Sequence, residues 1–221
     1  MKKNPKIIPI PPQVSPSNWS PTKPGDFIGA AGEVAGVLDL KAEKLLLSEQ
    51  ALRVVFYGPP GCGKTALAKW LAGRLAGHSS NIEQLNGKQI GIEVARRWMG
   101  SLAMGSLFGY SVKLVNELDA CSPDAQVLLL EYADELRGGC AFIGTSNLDL
   151  HRMQERFQTR WMQYHITNPP QEEIAGLVRR FGVDPEQADK IAFGAGGNVR
   201  AALLDAEAHL DVVAYRNLKA A

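Results

Sequence analysis

The chain has 221 residues, of which 45% are hydrophobic and 21% charged, and its net charge is +1. This composition is typical of a soluble globular protein with an adequate core. No apolar run approaches the roughly 18 to 20 residues that cross a bilayer, and no apolar signal-peptide segment follows the N-terminal lysines, so we expect a cytoplasmic protein without a membrane partner. The three cysteines and four histidines are scattered and match neither a disulfide framework nor a zinc site.

Residues 1–25 carry four lysines, no acidic residue and seven of the 13 prolines. Proline breaks helices, so this segment is predicted to be an extended arm that is disordered up to about residue 15. The arm fits a solubilising tail and a partner-binding segment equally well. The rest of the chain is slightly acidic, so a nucleic-acid contact has to come from the arm or from a local basic patch.

After the arm, the spacing of apolar residues predicts alternating helices and strands. Helices are predicted at 31–48, from 66 to about 76, and at 91–100 and 123–136; strands are predicted at 53–57, 82–86, 112–115, 140–144 and 164–166. This alternation predicts an α/β fold with a parallel sheet covered by helices on both faces. Beyond residue 169 only helices are predicted, at 172–181, 185–193 and 198–216, and they form a small helical lid.

The eight residues that join the first strand to its helix match the phosphate-binding pattern G-x-x-x-x-G-K-[ST] in full. They are Gly58, Pro59, Pro60, Gly61, Cys62, Gly63, Lys64 and Thr65. Glycines let successive N–H groups turn toward phosphate oxygens, and the next helix adds the positive end of its dipole. Lys64 is predicted to reach the β- and γ-phosphates and the Thr65 hydroxyl to ligate Mg²⁺. The strand–loop–helix context therefore predicts a nucleoside triphosphate site of the P-loop NTPase class.

Polar residues follow two further strands. Glu117 comes at the end of the strand at 112–115 and is predicted to polarise the attacking water. Asn147 follows the strand at 140–144, where a polar side chain can hydrogen-bond the γ-phosphate or the water. An ordinary residue at a strand end would look the same in each place.

The order and spacing of these segments resemble the AAA+ ATPases, and within them the small subunits of sliding-clamp loaders, from residue 19 to about residue 210. The matching segments are Trp19 to Gly29, Phe56 to Thr65, Asn86-Gly87 with Gly91 to Arg96, Asp124-Ala125-Gln126 with Leu128 to Glu131, Thr159-Arg160-Trp161, and Gly197-Asn198-Val199-Arg200. The resemblance implies an arm at 1–18, an AAA+ nucleotide-binding α/β domain at 19–168 and a helical lid domain at 169–221.

The resemblance also implies roles for single residues. Asn147 matches the sensor 1 position, and Arg200 matches the sensor 2 position and should reach the nucleotide from the lid. Arg160 is the candidate arginine finger for a neighbouring subunit, with Arg156 as the alternative. Asn86 matches the position that restrains the catalytic glutamate in many relatives.

The family pattern further implies that Ile28, Gly29 and Ala66 take part in ATP binding, beside the phosphate loop. The implied ligands are ATP and Mg²⁺, and the implied activity is ATP hydrolysis.

Two departures from the family pattern affect these expectations. The acidic strand usually ends Asp-Glu but here ends Asn116-Glu117, so Asn116 offers Mg²⁺ a neutral oxygen and we expect slow hydrolysis, with Asp119 compensating in part. The sequence stops after the predicted lid, so we expect no C-terminal collar domain. Head-to-tail contacts between AAA+ modules then predict an ATP-dependent homo-oligomeric ring or spiral.

The client is left open between DNA and protein. Lys88, Arg96 and Arg97 lie where clamp loaders contact the DNA backbone, and their neighbour Trp98 either stacks on a base or packs in the core. A protein-remodelling ATPase of the MoxR type is the competing class, with residues 104–110, which include Phe108 and Tyr110, as its candidate pore segment. A helicase- or transposase-partner ATPase and a weakly hydrolysing nucleotide-dependent scaffold are further alternatives, the scaffold supported by Asn116.

Overall fold

The computed structural model describes residues 14–101, 109–147 and 160–220. Five strands, β1 (Leu52–Tyr57), β2 (Ile82–Asn86), β3 (Ser111–Asn116), β4 (Cys140–Ser146) and β5 (Met162–His165), form one parallel sheet in the order β2-β3-β4-β1-β5. The helices of the described residues are α1 (Gly29–Ser48), α2 (Lys64–Ala76), α3 (Ile92–Ser101), α4 (Pro123–Asp134), α5 (Gln171–Arg179), α6 (Pro185–Ala195) and α7 (Val199–Ala220). The predicted α/β fold is confirmed.

The side chains of the central strands alternate between two cores, one on each face of the sheet. In β1, Val54 and Phe56 join the core beneath α1 and α2, whereas Val55 joins the core beneath α3 and α4. In β4, Ile143 joins the core beneath α1 and α2, and Phe142 joins the core beneath α3 and α4. This alternation follows from the two-residue repeat of a strand, and it explains why these strands are apolar throughout.

The core beneath α3 and α4 is built around aromatic rings. Phe142 packs edge-on against Trp161 at a centroid separation of 4.6 Å and against Trp98 at 6.2 Å. Trp98 is fully buried, so the structure selects the packing alternative for this residue, and base stacking by Trp98 is wrong.

A third core lies within the C-terminal helices. Ile174 of α5, Ile191 of α6 and Ala206 of α7 are buried in it. Ile28, the residue before α1, packs against this core. The lid helices therefore have an apolar interior of their own.

Two local expectations need correction. The segment predicted as extended contains two single turns of 3₁₀ helix, Pro16–Asn18 and Pro24–Asp26; proline fits the first position of such a turn, where its missing N–H is not needed. The last strand begins at residue 162 rather than at residue 164, because β5 is an edge strand and tolerates polar residues that weaken the apolar signal. No described helix is both long and apolar enough to cross a membrane.

Candidate nucleotide site

The phosphate loop lies at the carboxyl end of β1, and Lys64 is folded back into it. Lys64 is the first residue of α2 and only 6% exposed, and its Nζ donates to the carbonyl oxygens of Gly58 (2.8 Å) and Pro59 (2.6 Å). Burial lowers the pKa of Lys64, and the nearby positive charge of Arg200 lowers it further. The lysine ammonium group thus lies within hydrogen-bond distance of two carbonyl oxygens of the loop.

The first turn of the lid helix α7 packs directly on the phosphate loop. The N–H of Val199 donates to the carbonyl of Gly61 at 3.0 Å. Gly61 has φ +81°, and a Cβ at this position would lie 2.0 Å from the Asn198 side-chain oxygen. The positive φ favours glycine here, and any other residue would have to displace the Asn198 side chain. The contact between loop and lid brings Arg200 to the mouth of the loop.

The segment before α1 binds the lid through a buried ion pair. Asp26, 6% exposed, accepts from Arg180 at 3.1 Å and from the N–H and hydroxyl of Thr22, both at 3.1 Å. The Arg180 guanidinium also lies 5.5 Å from the centre of the Trp19 ring, which packs edge-on against Phe181. The lid and residues 19–26 are therefore fastened together beside the phosphate loop.

Glu117 follows β3 and is held in place by polar partners. Its Oε2 accepts from Asn86 Nδ2 at 3.0 Å, and its N–H donates to Thr145 Oγ1 at 3.2 Å. Asn147 follows β4, and its N–H donates to Asp119 Oδ1 at 3.2 Å. Because β2, β3 and β4 are neighbours in a parallel sheet, their carboxyl ends bring these groups together.

A cavity of about 410 Å³ joins these parts. The predicted site residues that line it are Ile28, Pro60, Gly61, Cys62, Gly63, Lys64, Thr65, Ala66, Glu117, Asn147 and Arg200. Four other predicted nucleotide residues do not line the cavity. Gly58 and Pro59 belong to the phosphate loop, whereas Gly29 and Asn116 are the chain neighbours of the lining residues Ile28 and Glu117. The volume is in the range of small-molecule sites.

Asn116 provides a test of fit for a metal ion. Its side-chain oxygen is buried and has no hydrogen-bond partner among the described residues. An unpaired buried acceptor is costly, and a bound cation or its water shell would satisfy it. Asn116 and the Thr65 hydroxyl therefore fit a Mg²⁺ ion, with fewer charges than the usual Asp would supply.

Cys62 is a structural part of the loop. Its thiol donates to the Ile166 carbonyl at 3.2 Å, and burial raises the thiol pKa. The neutral thiol therefore ties the loop to the segment after β5.

The arginine-finger candidate lies apart from this cavity. Arg160 pairs with Asp134 at the end of α4, with 2.7 Å between Nε and Oδ1. The alternative, Arg156, lies outside the described residues. Arg160 is not among the described residues that line the nucleotide cavity.

The three basic residues proposed for DNA differ in their surroundings. The Arg97 guanidinium pairs with Glu83 of β2 at 2.5 Å, and Glu83 also accepts from Lys113 at 2.6 Å. Lys88 and Arg96 are exposed, and neither forms an ion pair with any residue in the described ranges. A phosphate would therefore compete with Glu83 for Arg97 but not for Lys88 or Arg96.

Several cavity residues were not predicted from the sequence. They are Ser17, Ala31, Thr145, Leu177, Val199, Leu203 and Leu204. Most of them are apolar residues in helices, and their spacing in the sequence predicts that they are buried but not that they line a cavity. Thr145 had a usable signal, because it lies two residues before Asn147 at the end of a strand beside the phosphate loop.

Comparisons with known proteins show a family and a fold. The ATPase family associated with various cellular activities matches residues 54–169. The replication factor C small subunit of Methanocella arvoryzae is 28% identical over 162 residues, which are 68% of this chain and 50% of that protein, and the one from Archaeoglobus fulgidus gives the same values. The chain thus spans about half the length of these relatives.

Among solved structures, the Thermotoga maritima RuvB Holliday junction branch migration motor is similar in fold. It superposes with a TM-score of 0.71 at 19% identity, over 89% of this chain and 67% of that one. A variant of the same protein gives 0.74 at 18% identity.

The ion pair between Asp26 and Arg180 generates a prediction about acid stability. Burial by itself would raise the pKa of Asp26, but hydrogen bonds from Thr22 and Arg180 outweigh it and hold the pKa below 3.8. The ionised carboxylate therefore stabilises the fold at pH values above 3.8, and this contribution is lost as the pH falls through the lower folded-state pKa. Asp26→Asn should cost about 1 to 3 kcal/mol at neutral pH.

Urea unfolding of wild type and variant between pH 2 and pH 7 measures this difference, which should shrink only below about pH 4. The control is Asp189→Asn, which removes the ion pair between Asp189 and Arg179. The Asp189 side chain is 56% exposed, so this substitution should change the free energy of unfolding by no more than about 0.5 kcal/mol. A cost for Asp26→Asn that does not vary with pH would contradict the prediction.

Proposed function

The chain belongs to the AAA family of ATPases, and on that premise we propose that it is a clamp-loader-like AAA+ protein that binds and hydrolyses ATP, assembles head to tail and binds the DNA backbone. The observation that supports hydrolysis is that Lys64, Glu117 and Arg200 meet in one cavity although they come from separate parts of the chain. In this proposal residues 1–18 are an arm, residues 19–168 the nucleotide-binding domain and residues 169–221 the lid.

The loop residues would hold the triphosphate. Lys64 would exchange the carbonyls of Gly58 and Pro59 for β- and γ-phosphate oxygens, and loop N–H groups with the N-terminus of α2 would bind the remaining oxygens. Thr65 and Asn116 would hold Mg²⁺, which neutralises phosphate charge when bound.

Glu117 is the proposed general base for the attacking water. Its carboxylate is engaged by Asn86 at 3.0 Å, so it has to leave Asn86 before it can polarise a water. Asn147 at the end of β4 is the proposed partner of the γ-phosphate or of the water. Arg200 would approach the phosphates from the lid and thereby make lid position depend on the nucleotide.

The proposal of DNA as client rests on the relatives and on the two free cations. The relatives are replication factor C small subunits, and a Holliday junction branch migration motor is similar in fold. Lys88 and Arg96 are exposed and unpaired in the described ranges, so they are the proposed backbone contacts, with Arg97 secondary because Glu83 holds it.

The ATP hydrolysis rate with and without DNA tests the proposed function. We expect a slow basal rate above that of Lys64→Ala, and stimulation by DNA that fades as salt rises, because backbone binding releases counterions. Lys88→Ala and Arg96→Ala should each weaken DNA binding and lower the salt slope by about one.

The control for these two variants is Lys44→Ala, which removes an exposed lysine from α1 and should leave DNA binding unchanged. A rate that ignores DNA would favour a protein client, and no rate above the Lys64→Ala blank would favour the scaffold.

The protein-remodelling alternative loses one of its two candidate pore residues. Tyr110 is 2% exposed, and its hydroxyl oxygen lies 2.8 Å from the Leu45 carbonyl oxygen and 2.7 Å from that of Gln50, so it can donate its proton to either. A pore role for Tyr110 is therefore wrong, because this side chain is a core residue. Phe108 lies outside the described residues.

Replacing Asn116 tests whether its missing charge limits the rate. Asn116→Asp should raise hydrolysis at low Mg²⁺ by about tenfold, because the carboxylate adds a charge beside the metal. The measurement is the rate against Mg²⁺ concentration, with Lys64→Ala as the blank. An unchanged rate and Mg²⁺ dependence would show that Asn116 is not limiting.

Assembly is the remaining part of the proposal. Arg160 does not line the cavity of its own chain, and a module whose arginine acts on the nucleotide of a neighbour makes heterologous contacts, which close into rings or continue as spirals. Arg160 would exchange Asp134 for the γ-phosphate of the neighbouring subunit.

Light scattering with a non-hydrolysable ATP analogue should therefore show oligomers for the wild type and monomers for Lys64→Ala. Arg160→Ala should retain ATP binding but lose at least about tenfold in rate, in line with other arginine fingers. Monomers under all conditions would refute the assembly, and a normal rate for Arg160→Ala would refute its role.

A further inference from the structure

Glu117 has an unusual backbone conformation. Its φ of 55° and ψ of 56° lie in the left-handed region, which residues with a Cβ rarely adopt. Among the described residues other than glycine, only Glu49 also has a positive φ, and Glu49 ends α1, where this conformation is common. Glu117 ends no helix, so its surroundings have to hold it in a conformation that costs free energy.

Contacts on both sides of Glu117 hold the strained backbone. Its N–H donates to Thr145 Oγ1 at 3.2 Å, and its carbonyl accepts from the Ala120 N–H at 2.9 Å. The same carbonyl packs against Gly87, where an added Cβ would lie 2.0 Å from the oxygen. The carboxylate accepts from Asn86 at 3.0 Å. The backbone and the side chain are therefore held by residues from the ends of both neighbouring strands.

Thr145 is the contact that also faces the nucleotide cavity. It lies near the end of β4, is 3% exposed and lines the cavity that contains Lys64 and Thr65. A hydroxyl accepts through its lone pairs and donates its single proton. One side chain can thus accept from the Glu117 N–H and respond to a ligand in the cavity.

We propose that Thr145 is a positioning residue that latches Glu117 in the resting conformation, with its carboxylate on Asn86, and that a ligand engaging the Thr145 hydroxyl opens the latch. When the backbone of Glu117 leaves the left-handed region, its N–H turns away from Thr145 and its carboxylate moves off Asn86. Relief of the backbone strain offsets the loss of these hydrogen bonds. The consequence for hydrolysis rests on the proposed function, whereas the latch itself does not.

The latch can be tested without hydrolysis by hydrogen exchange of the Glu117 amide in the nucleotide-free protein. Thr145→Val keeps the shape but removes the acceptor, and exchange should accelerate about fivefold or more, the factor for one neutral hydrogen bond. Thr145→Ser keeps the hydroxyl and should retain the protection. Thr167→Val, which changes an exposed threonine, is the matched control and should not alter it. Equal exchange in wild type and Thr145→Val would overturn the latch.

The consequence of the latch for hydrolysis is tested by the basal ATP hydrolysis rates of Thr145→Val, Asn86→Ala and the double variant. Each single variant should raise the DNA-independent rate about fivefold with little change in KM, and the double variant should be faster than either single one, because the two hydrogen bonds each add to the stability of the same closed conformation. A rate for Thr145→Val no higher than that of the wild type would overturn the proposal. A wild-type rate no higher than that of Lys64→Ala would refute the proposed function, and amide exchange would still decide the latch.

Discussion

The parallel pairing of β3, β4 and β1 is the constraint on which the site depends. Parallel strands end at the same edge of a sheet, so the phosphate loop after β1, Thr145 at the end of β4 and Glu117 after β3 have to meet there. Phe56 and Val55 on opposite faces of β1 anchor this edge in two separate cores. The position of the catalytic edge is therefore set by backbone hydrogen bonds and by packing on both faces, rather than by contacts among the polar groups themselves.

The lid is attached to the site at two places with different chemistry. At the phosphate loop, Gly61 and Val199 make one backbone hydrogen bond. On the far side of the cavity, Asp26 and Arg180 form a buried ion pair. A nucleotide between these attachments would contact the loop, the lid and residues 19–28 at once, which gives a physical route from nucleotide state to lid position.

Two of the side chains proposed to act in hydrolysis have other partners in this structure. Glu117 is hydrogen-bonded to Asn86, and Arg160 is paired with Asp134. Asp134 is exposed and Asn86 is half-buried, so exchange of either partner for a phosphate or a water costs little more than the hydrogen bond that is lost. In the proposed mechanism, activity would depend on what displaces Asn86 and Asp134.

The sequence by itself determined the α/β alternation, the helical C-terminal region and the phosphate loop at Gly58–Thr65, because each depends on local spacing or on a contiguous motif. Only the tertiary structure decided which side chains share the cavity: Leu203 shows only the spacing of a buried helix face, and the contact of Thr145 with Glu117 depends on a residue at the end of another strand. The tertiary structure also showed that Trp98 and Tyr110 are buried and that Arg97 pairs with Glu83 of β2. Neither burial nor an ion pair to another element can be deduced from residue type. Local patterns specify backbone conformation, whereas exposure and partners depend on long-range packing.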